Sequence, residues 1–391
     1  MPNFKTDAIS MPEFPAKHGD SEFLYLATCE KDESLIKVKQ NSEEFFIQIR
    51  KKGDRYLVKA DKISRPSQVV FVQQALRDFR DLCRCSVKFS NIEPQKIKHK
   101  AKFEVLKDIN FFANDFNSTK EIWLEVGFGS GRHLLYQANK HKDIQFIGLE
   151  IHKPSLEQVA KQCELQEIKN IYLLDYDARI FLEFLSSNTV GKIFVHFPVP
   201  WDKKPHRRVI SSEFINGSIR VLKRDGDLEL RTDSQKYFDY SLKEFLKLNI
   251  LNLHIYKNRD LEISSKYEDR WKRQKKDIFD LTMTNEEISK ETQKISMIKF
   301  EEMYEFEKVK ENFKKITKSE NDYFLHVEDI YSINKSEGLI KLSLGASSKN
   351  ERVYVEFKNN KISYFPNKIL ATKSNQKAHH LLNSWLKEIS T

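Results

Sequence analysis

The chain has 391 residues, long enough for two or three domains, because a single core rarely grows past ~250–300 residues. Apolar residues make up 39%, with 28 Phe and 14 Tyr, enough to fill real cores, and the net charge of +10 with a pI near 9.1 favours an anionic partner, nucleic acid before membrane. No run approaches the ~20 apolar residues that cross a bilayer, and the start, MPNFKTDAISMPEF, lacks a charged-then-apolar signal pattern, so the expectation is a soluble cytoplasmic protein.

Residues 22–63 alternate apolar and polar. "IKVK" and "FFIQI" predict strands, and "KKGDR" supplies a turn. "PSQVVFVQQALRDFRDL" then predicts a helix, with Ser67 as its N-cap. Cys83-x-Cys85 is too tight for the usual zinc knuckle, and no His or Cys pair stands at ligand spacing nearby. The four cysteines are read as free thiols, and no metal is expected.

Over residues 121–257 the texture changes. "EIWLEVG", "IQFIGLEI", "IYLLDYDA", "KIFVHFP" and "GDLELRTD" alternate with amphipathic segments, a βαβ rhythm with buried strands and hence a parallel sheet covered on both faces. From about 285 to 317 a charged stretch carries Ile295, Ile298, Met303, Phe306, Val309, Phe313 and Ile316 as a ragged stripe, which predicts a connecting helix or helix pair. The last segment returns to the first texture. "SLIKVK…FFIQIRKKGDRYLVKADKI" and "GLIKLS…VYVEFKNNKISYFPNKI" both read strand, strand, turn, strand and helix. They are either a weak internal repeat or a chance likeness of two Lys-rich meanders. The expected organisation is an N-terminal strand-rich region (1–105), a central α/β domain (106–284), a helical connection (285–320) and a C-terminal α+β region (321–391).

The strongest local signal is "LEVGFGSGRHL". A strand ends in Glu125, and Gly127, Gly129 and Gly131 follow at alternate positions before a helix. A dinucleotide site would read G-x-G-x-x-G, with pyrophosphate on the helix N-terminus. Here the third glycine comes one residue early, and Glu125 would repel a pyrophosphate but suits a cationic ligand end, such as the amino group of a methionine moiety. "FIGLEI" ends in Glu150, placed for ribose hydroxyls, and "LLDYDA" carries Asp177, placed for an adenine amino group. Three acids on successive strand ends, at the edge where open α/β sheets bind ligands, read as an S-adenosylmethionine pocket. A nicotinamide-dependent dehydrogenase is the rival reading.

"EVGFGSGRHLL", "IGLEIH", "DYDA", "FPVPWDKKPHRR", "RTDSQKYF" and "SSKYEDR" fall in the order of the bacterial tRNA (guanine-N7-)-methyltransferases, which residues 121–270 resemble. The resemblance implies a class I S-adenosylmethionine-dependent methyltransferase (Rossmann-like) fold, with a variable-loop guanine of tRNA as acceptor. It implies Glu125, Glu150 and Asp177 as donor carboxylates, and Lys203 and Asp233 on the substrate side. Ser265, Lys266, Tyr267 and Glu268 match a family Thr-Lys-Phe-Glu motif with two conservative changes. Asp233 is either a substrate contact or a cap for the helix that begins near Ser234.

Two features depart from the family: Val199 stands where it usually has an aspartate called catalytic, and the basic loop after Trp201 is a little shorter. Guanine N7 holds an in-plane lone pair and no proton, so a general base is not formally required and positioning can supply much of the acceleration. Asp233 is the expected orienting residue. Trp201 either stacks on a base or plugs the core. Lys203, Lys204, Arg207 and Arg208, with the second basic run "KYEDRWKRQKK", are expected to face RNA phosphates. A non-catalytic RNA-binding protein that keeps the fold, and a methyltransferase for another RNA or a protein, remain as alternatives. Oligomeric state is not legible.

Overall fold

The computed structural model describes the chain except residues 1, 41–42, 67–68, 94–102, 265, 293–294, 296, 321, 347–349 and 391, and only the backbone of His206, Lys266 and Tyr267. The expected cap Ser67 and the site residue Ser265 lie outside the described residues. Two compact units form, residues 100–294 and residues 1–99 with 295–391.

The first of these units is built on a seven-stranded sheet. Its elements run β1 (Ile122–Val126), α1 (Arg132–Lys140), β2 (Gln145–Leu149), α2 (Lys153–Leu165), β3 (Ile171–Leu174), α3 (Ala178–Phe181), β4 (Val190–His196), α4 (Ser212–Val221), β5 (Leu222–Thr232), α5 (Gln235–Phe245), β6 (Asn252–Lys257), α6 (Lys266–Arg273) and β7 (Phe279–Thr284). The strand order is β3-β2-β1-β4-β5-β7-β6. β1 to β5 are parallel, as their near-continuous apolar runs require, and β7 runs antiparallel to both β5 and β6. The hairpin-like β6–β7 pair was not legible in the sequence reading, because "NLHIYK" is short and has no buried residue. The chain order reverses between β1 and β4, which opens the carboxyl edge of the sheet at that point to a ligand. Leu156, Val159, Ala160 and Cys163 of α2 repeat at helical spacing and pack with Leu134 and Ala138 of α1 over Phe146. Each buried Leu, Val or Phe among them contributes about 1.5–3 kcal/mol.

In the other unit, strands Ser21–Thr28, Glu33–Gln40, Glu43–Lys52 and Arg55–Ala60 form an antiparallel meander followed by the helix Val69–Leu82. Strands Phe324–Ser332, Gly338–Gly345, Asn350–Lys358 and Lys361–Phe365 form a second, followed by the helix Lys373–Ser390. The first strands of the two meanders meet at Thr28 and Ser332, so both lie in one sheet. The textual likeness therefore corresponds to two copies of one strand–strand–strand–strand–helix unit. Each helix covers its own meander, and a third cluster joins the copies: Tyr25, Leu35 and Phe46 pack with Tyr331, Leu339, Tyr354 and Phe365. Phe46 meets Tyr354 edge-on at 5.1 Å between ring centroids.

The stretch 285–320 is not a connecting helix. Among its described residues only Phe306–Glu311 is helical, and Ile316–Ser319 is a strand. Side chains hold the start of this stretch in extended form. Asn188 Nδ2 donates to the Ser289 carbonyl and Ser289 N–H returns to Asn188 Oδ1, while Asn285 Nδ2 donates to the carbonyls of Leu222 and Lys223. Backbone and side-chain groups tied in this way to distant elements hold the stretch against the neighbouring strands and loops instead of in a helix. Of the ragged stripe, Ile298, Phe306 and Val309 are buried, whereas Met303 is exposed.

Candidate functional site

The glycine loop after β1 sits at the switch point. Gly127, Gly129 and Gly131 all have positive φ, the region that favours glycine. A Cβ on Gly131 would lie 2.5 Å from Val159 Cγ2, so this glycine serves helix packing, whereas a Cβ on Gly127 would meet nothing within 4 Å. The loop's backbone is thus open to a ligand at Gly127. Glu150 follows β2 and accepts from two backbone amides, Gly129 N–H and His152 N–H, each at 2.9 Å. The loop and the acid fix each other. Asp177 caps α3 by accepting from Arg179 N–H, and the Arg179 guanidinium grips the same carboxylate through Nε (3.0 Å) and Nη2 (2.7 Å).

Glu125 is buried, and its Oε2 accepts from His133 Nδ1–H of α1 at 2.8 Å. The proton is assigned to the imidazole because an ionised carboxylate only accepts. His133 and His196, the last residue of β4, lie with ring centroids 4.7 Å apart, and His196 Nε2 meets Glu229 Oε1 of β5 at 2.8 Å. Glu125, Phe194 and Glu229 are in direct cross-strand register, so the two acids flank one strand on one face. Two residues on, Arg231 is fully buried and donates to both oxygens of Asp280 on β7 at 2.8 Å, to Glu268 of α6 at 3.0 Å, and to the Arg259 carbonyl at 2.7 Å. A buried charged layer therefore runs under the carboxyl edge from Glu125 to Glu268.

This layer shifts its members. Burial pushes the Glu229 carboxyl up, but the His196 hydrogen bond and charge, with Arg259 and His133, outweigh it and hold Glu229 at about 2. Burial pushes the His133 imidazole down, but the Glu125 carboxylate outweighs it and raises His133 above the ordinary histidine range. Burial dominates at Asp280, which lies above the usual carboxylate range despite Arg231 and Arg259.

On the acceptor side, Asp233 follows β5 and meets Lys276 Nζ at 3.1 Å. It is not the helix cap. Ser234 is, accepting from Tyr237 N–H. Glu268, read as a substrate contact, is buried with its carboxylate held by Arg231 and Lys272, so it supports the site from beneath. Lys266 opens α6. In the loop after β4, Val199, Lys203, Lys204 and Arg207 are exposed, and Arg207 lies over the half-buried Trp201 ring at 5.1 Å.

Arg208 departs from its expected role as a phosphate contact. It is buried, donates to the Pro200 carbonyl at 2.7 Å, and stacks on Tyr240, so it locks the loop from inside. In the second basic run, Lys272 pairs with Asp260 and Lys276 with Asp233, while Arg270, Arg273 and Lys275 point outward. Lys272, Lys275 and Lys276 with Arg259 line a cavity of about 300 Å³. The sequence reading missed His133, His196 and Glu229. Two polar residues in buried strands, and a histidine inside "GRHLL", were the signal.

Among the described residues, no group of three or more His, Cys, Asp or Glu side chains is arranged to hold a metal, and no helix is long and apolar enough to cross a membrane. A family model described as "Putative methyltransferase" matches residues 119–281. A tRNA (guanine-N(7)-)-methyltransferase from Campylobacter fetus is 40% identical over 99% of both chains. One from Wolinella succinogenes is 38% identical over 99% of this chain and 100% of its own, and one from Helicobacter pylori J99 is 36% identical over 99% and 97%. Among solved structures, the 16S rRNA methyltransferase KamB shares 17% identity, with a TM-score of 0.34, over 46% of this chain and 93% of its own.

Proposed function

The chain belongs to the tRNA (guanine-N7-)-methyltransferases, and from that premise we propose that the carboxyl edge of the β1–β5 sheet performs the family's reaction, S-adenosylmethionine-dependent methylation of guanine N7 in the tRNA variable loop. The observation that carries the reading is the constellation at the switch point. There a backbone-open glycine loop, its paired acid Glu150 and the buried acid Glu125 converge on one strand edge.

These residues fit the donor's chemistry. Glu125 suits an ammonium group, Glu150 suits vicinal hydroxyls, and bare backbone at Gly127 leaves space against the loop. Asp177, caught between its helix and Arg179, contributes a fixed polar rim for a heterocycle. Bound, the donor supplies an electrophilic methyl on a sulfonium centre.

The protein's own work is positioning. N7 has no proton to lose, so Val199 leaves no proton transfer unserved. Asp233 accepts from the guanine N1–H and N2 amino group, orienting the base, and Lys276 keeps that carboxylate aimed. Pro198 and Pro200 stiffen the loop, Arg208 locks it, and Lys203 with Arg207 offers charge to the RNA backbone. Positioning of this kind is worth up to ~7–11 kcal/mol of a barrier. Calorimetry tests the donor reading: S-adenosylhomocysteine binds and NAD does not. Binding of NAD alone would restore the dehydrogenase reading.

A further inference from the structure

The charged layer beneath the edge carries more ionisable groups than positioning of a base needs. Four carboxylates, Glu125, Glu229, Asp280 and Glu268, meet three permanent cations, Arg231, Arg259 and Lys272. The two histidines lie between the carboxylates at the donor end. Rings 4.7 Å apart disfavour two positive charges, and flanking carboxylates on both sides favour one. The Glu125 carboxylate at 2.8 Å favours that charge on His133.

We propose that His133, with His196 stacked against it, is the positioning residue that orients Glu125 toward the donor's ammonium group, and that it gives up its proton when that group arrives. The inference rests on the reading of Glu125 as the donor carboxylate. Every neighbour fits. From α1 itself, Gln137 Nε2 lies 3.2 Å from His133 Nε2 and can donate to the neutral ring, or flip to accept from the charged one. From β1 comes Glu125, from β4 His196, and from β5 Glu229 and, more distantly, the opposing charge of Arg231. Asp280 on β7 and Arg259 after β6 complete the balance at the His196 end. His133 takes only Oε2 of Glu125, and Oε1 has no hydrogen bond among the described residues.

The charge balance is explicit. In the free protein an imidazolium faces Glu125. When the ligand's ammonium becomes the counter-ion, the imidazolium loses the carboxylate that favoured it, and its Nδ1–H bond remains as that of a neutral ring. One proton leaves to solvent for each ligand bound, and no covalent bond changes in the ligand. His133 is raised in the free protein, so the release is largest where its proton is still held, at and somewhat above the ordinary histidine range.

Calorimetry on the full chain with S-adenosylhomocysteine tests this, in buffers of low and high ionisation enthalpy at about pH 6.5, below the α-amino range. The expected result is a buffer-dependent enthalpy whose sign means proton release, with affinity rising by up to about tenfold per pH unit. His133→Gln keeps a donor toward Glu125 but carries no proton to release, so the buffer and pH dependence of the measured binding vanish, and a variant that still releases a proton on binding overturns the assignment to His133. A buffer-independent enthalpy in the wild type across about pH 6–8, with normal binding, overturns the inference and leaves the donor site standing. No binding of S-adenosylhomocysteine at all overturns the donor reading and the inference with it.

Discussion

Replacing Arg231 by Met probes the node on which the substrate-side elements hang. The guanidinium is fully buried and makes four hydrogen bonds: two to Asp280, one to Glu268 and one to the Arg259 carbonyl. Met fills the volume but leaves two buried carboxylates short of a cation. Asp280 keeps only Arg259 Nε at 3.5 Å, and Glu268 keeps Lys272 at 2.9 Å. Breaking a buried ion pair costs about 3–5 kcal/mol, and the orphaned carbonyl adds about 1 kcal/mol. For a unit of this size each kcal/mol moves the melting temperature by about 2–4 °C, so the expected drop is about 8–24 °C. Thermal unfolding by circular dichroism reads it, with the transition of residues 100–294 identified by its upward shift with S-adenosylhomocysteine. Arg231→Met with Asp280→Asn should recover part of the loss, because one stranded charge is gone. A single variant melting within about 2 °C of wild type would refute the claim that the layer is a structural ion network.

Asp233→Ala should cut single-turnover methyl transfer by about 100-fold or more with donor affinity unchanged, whereas Val199→Ala, which trims an exposed apolar side chain, should cost little. Replacing Arg270, Arg273 and Lys275 together by Ser should weaken tRNA binding and reduce the slope of log K against log salt by about 2–3, and an unchanged slope assigns them to ordinary surface. In acid, Glu229 is held at about 2, below its unfolded value near ~4.3. Its contribution, up to ~3 kcal/mol, is therefore full above that unfolded value and is lost as pH falls from about 4 toward 2. Glu229→Gln should lose correspondingly less stability than wild type over that range in urea titrations at successive pH values.

The parallel strands and the glycine loop were legible because each is a local signal: an unbroken apolar run, or glycines where φ is positive. The meanders at the two ends were legible as text, but their meeting in one sheet depends on a Thr28–Ser332 pairing across most of the chain, which no local pattern encodes. The stretch after 285 misled because apolar residues at loose helical spacing outweighed Asn285, Asn188 and Ser289, whose side chains claim the backbone. Arg208 and Glu268 were read as ligand contacts because charge in a motif suggests exposure, whereas both are buried by partners from other elements. His133 was visible as a letter, but its partner Glu125 lies on the preceding strand, and only the fold brings in His196 and Glu229.

The central claim is that this site methylates N7 of guanine in tRNA with valine at position 199. The most direct measurement incubates the purified full-length chain with labelled S-adenosylmethionine and unmodified tRNA, then digests the RNA and maps the labelled nucleoside. The account predicts label in 7-methylguanosine at a variable-loop position, dependent on Asp233. Folded protein that binds S-adenosylhomocysteine and tRNA, yet places no label in 7-methylguanosine on any tRNA of a pool lacking that modification, would contradict it.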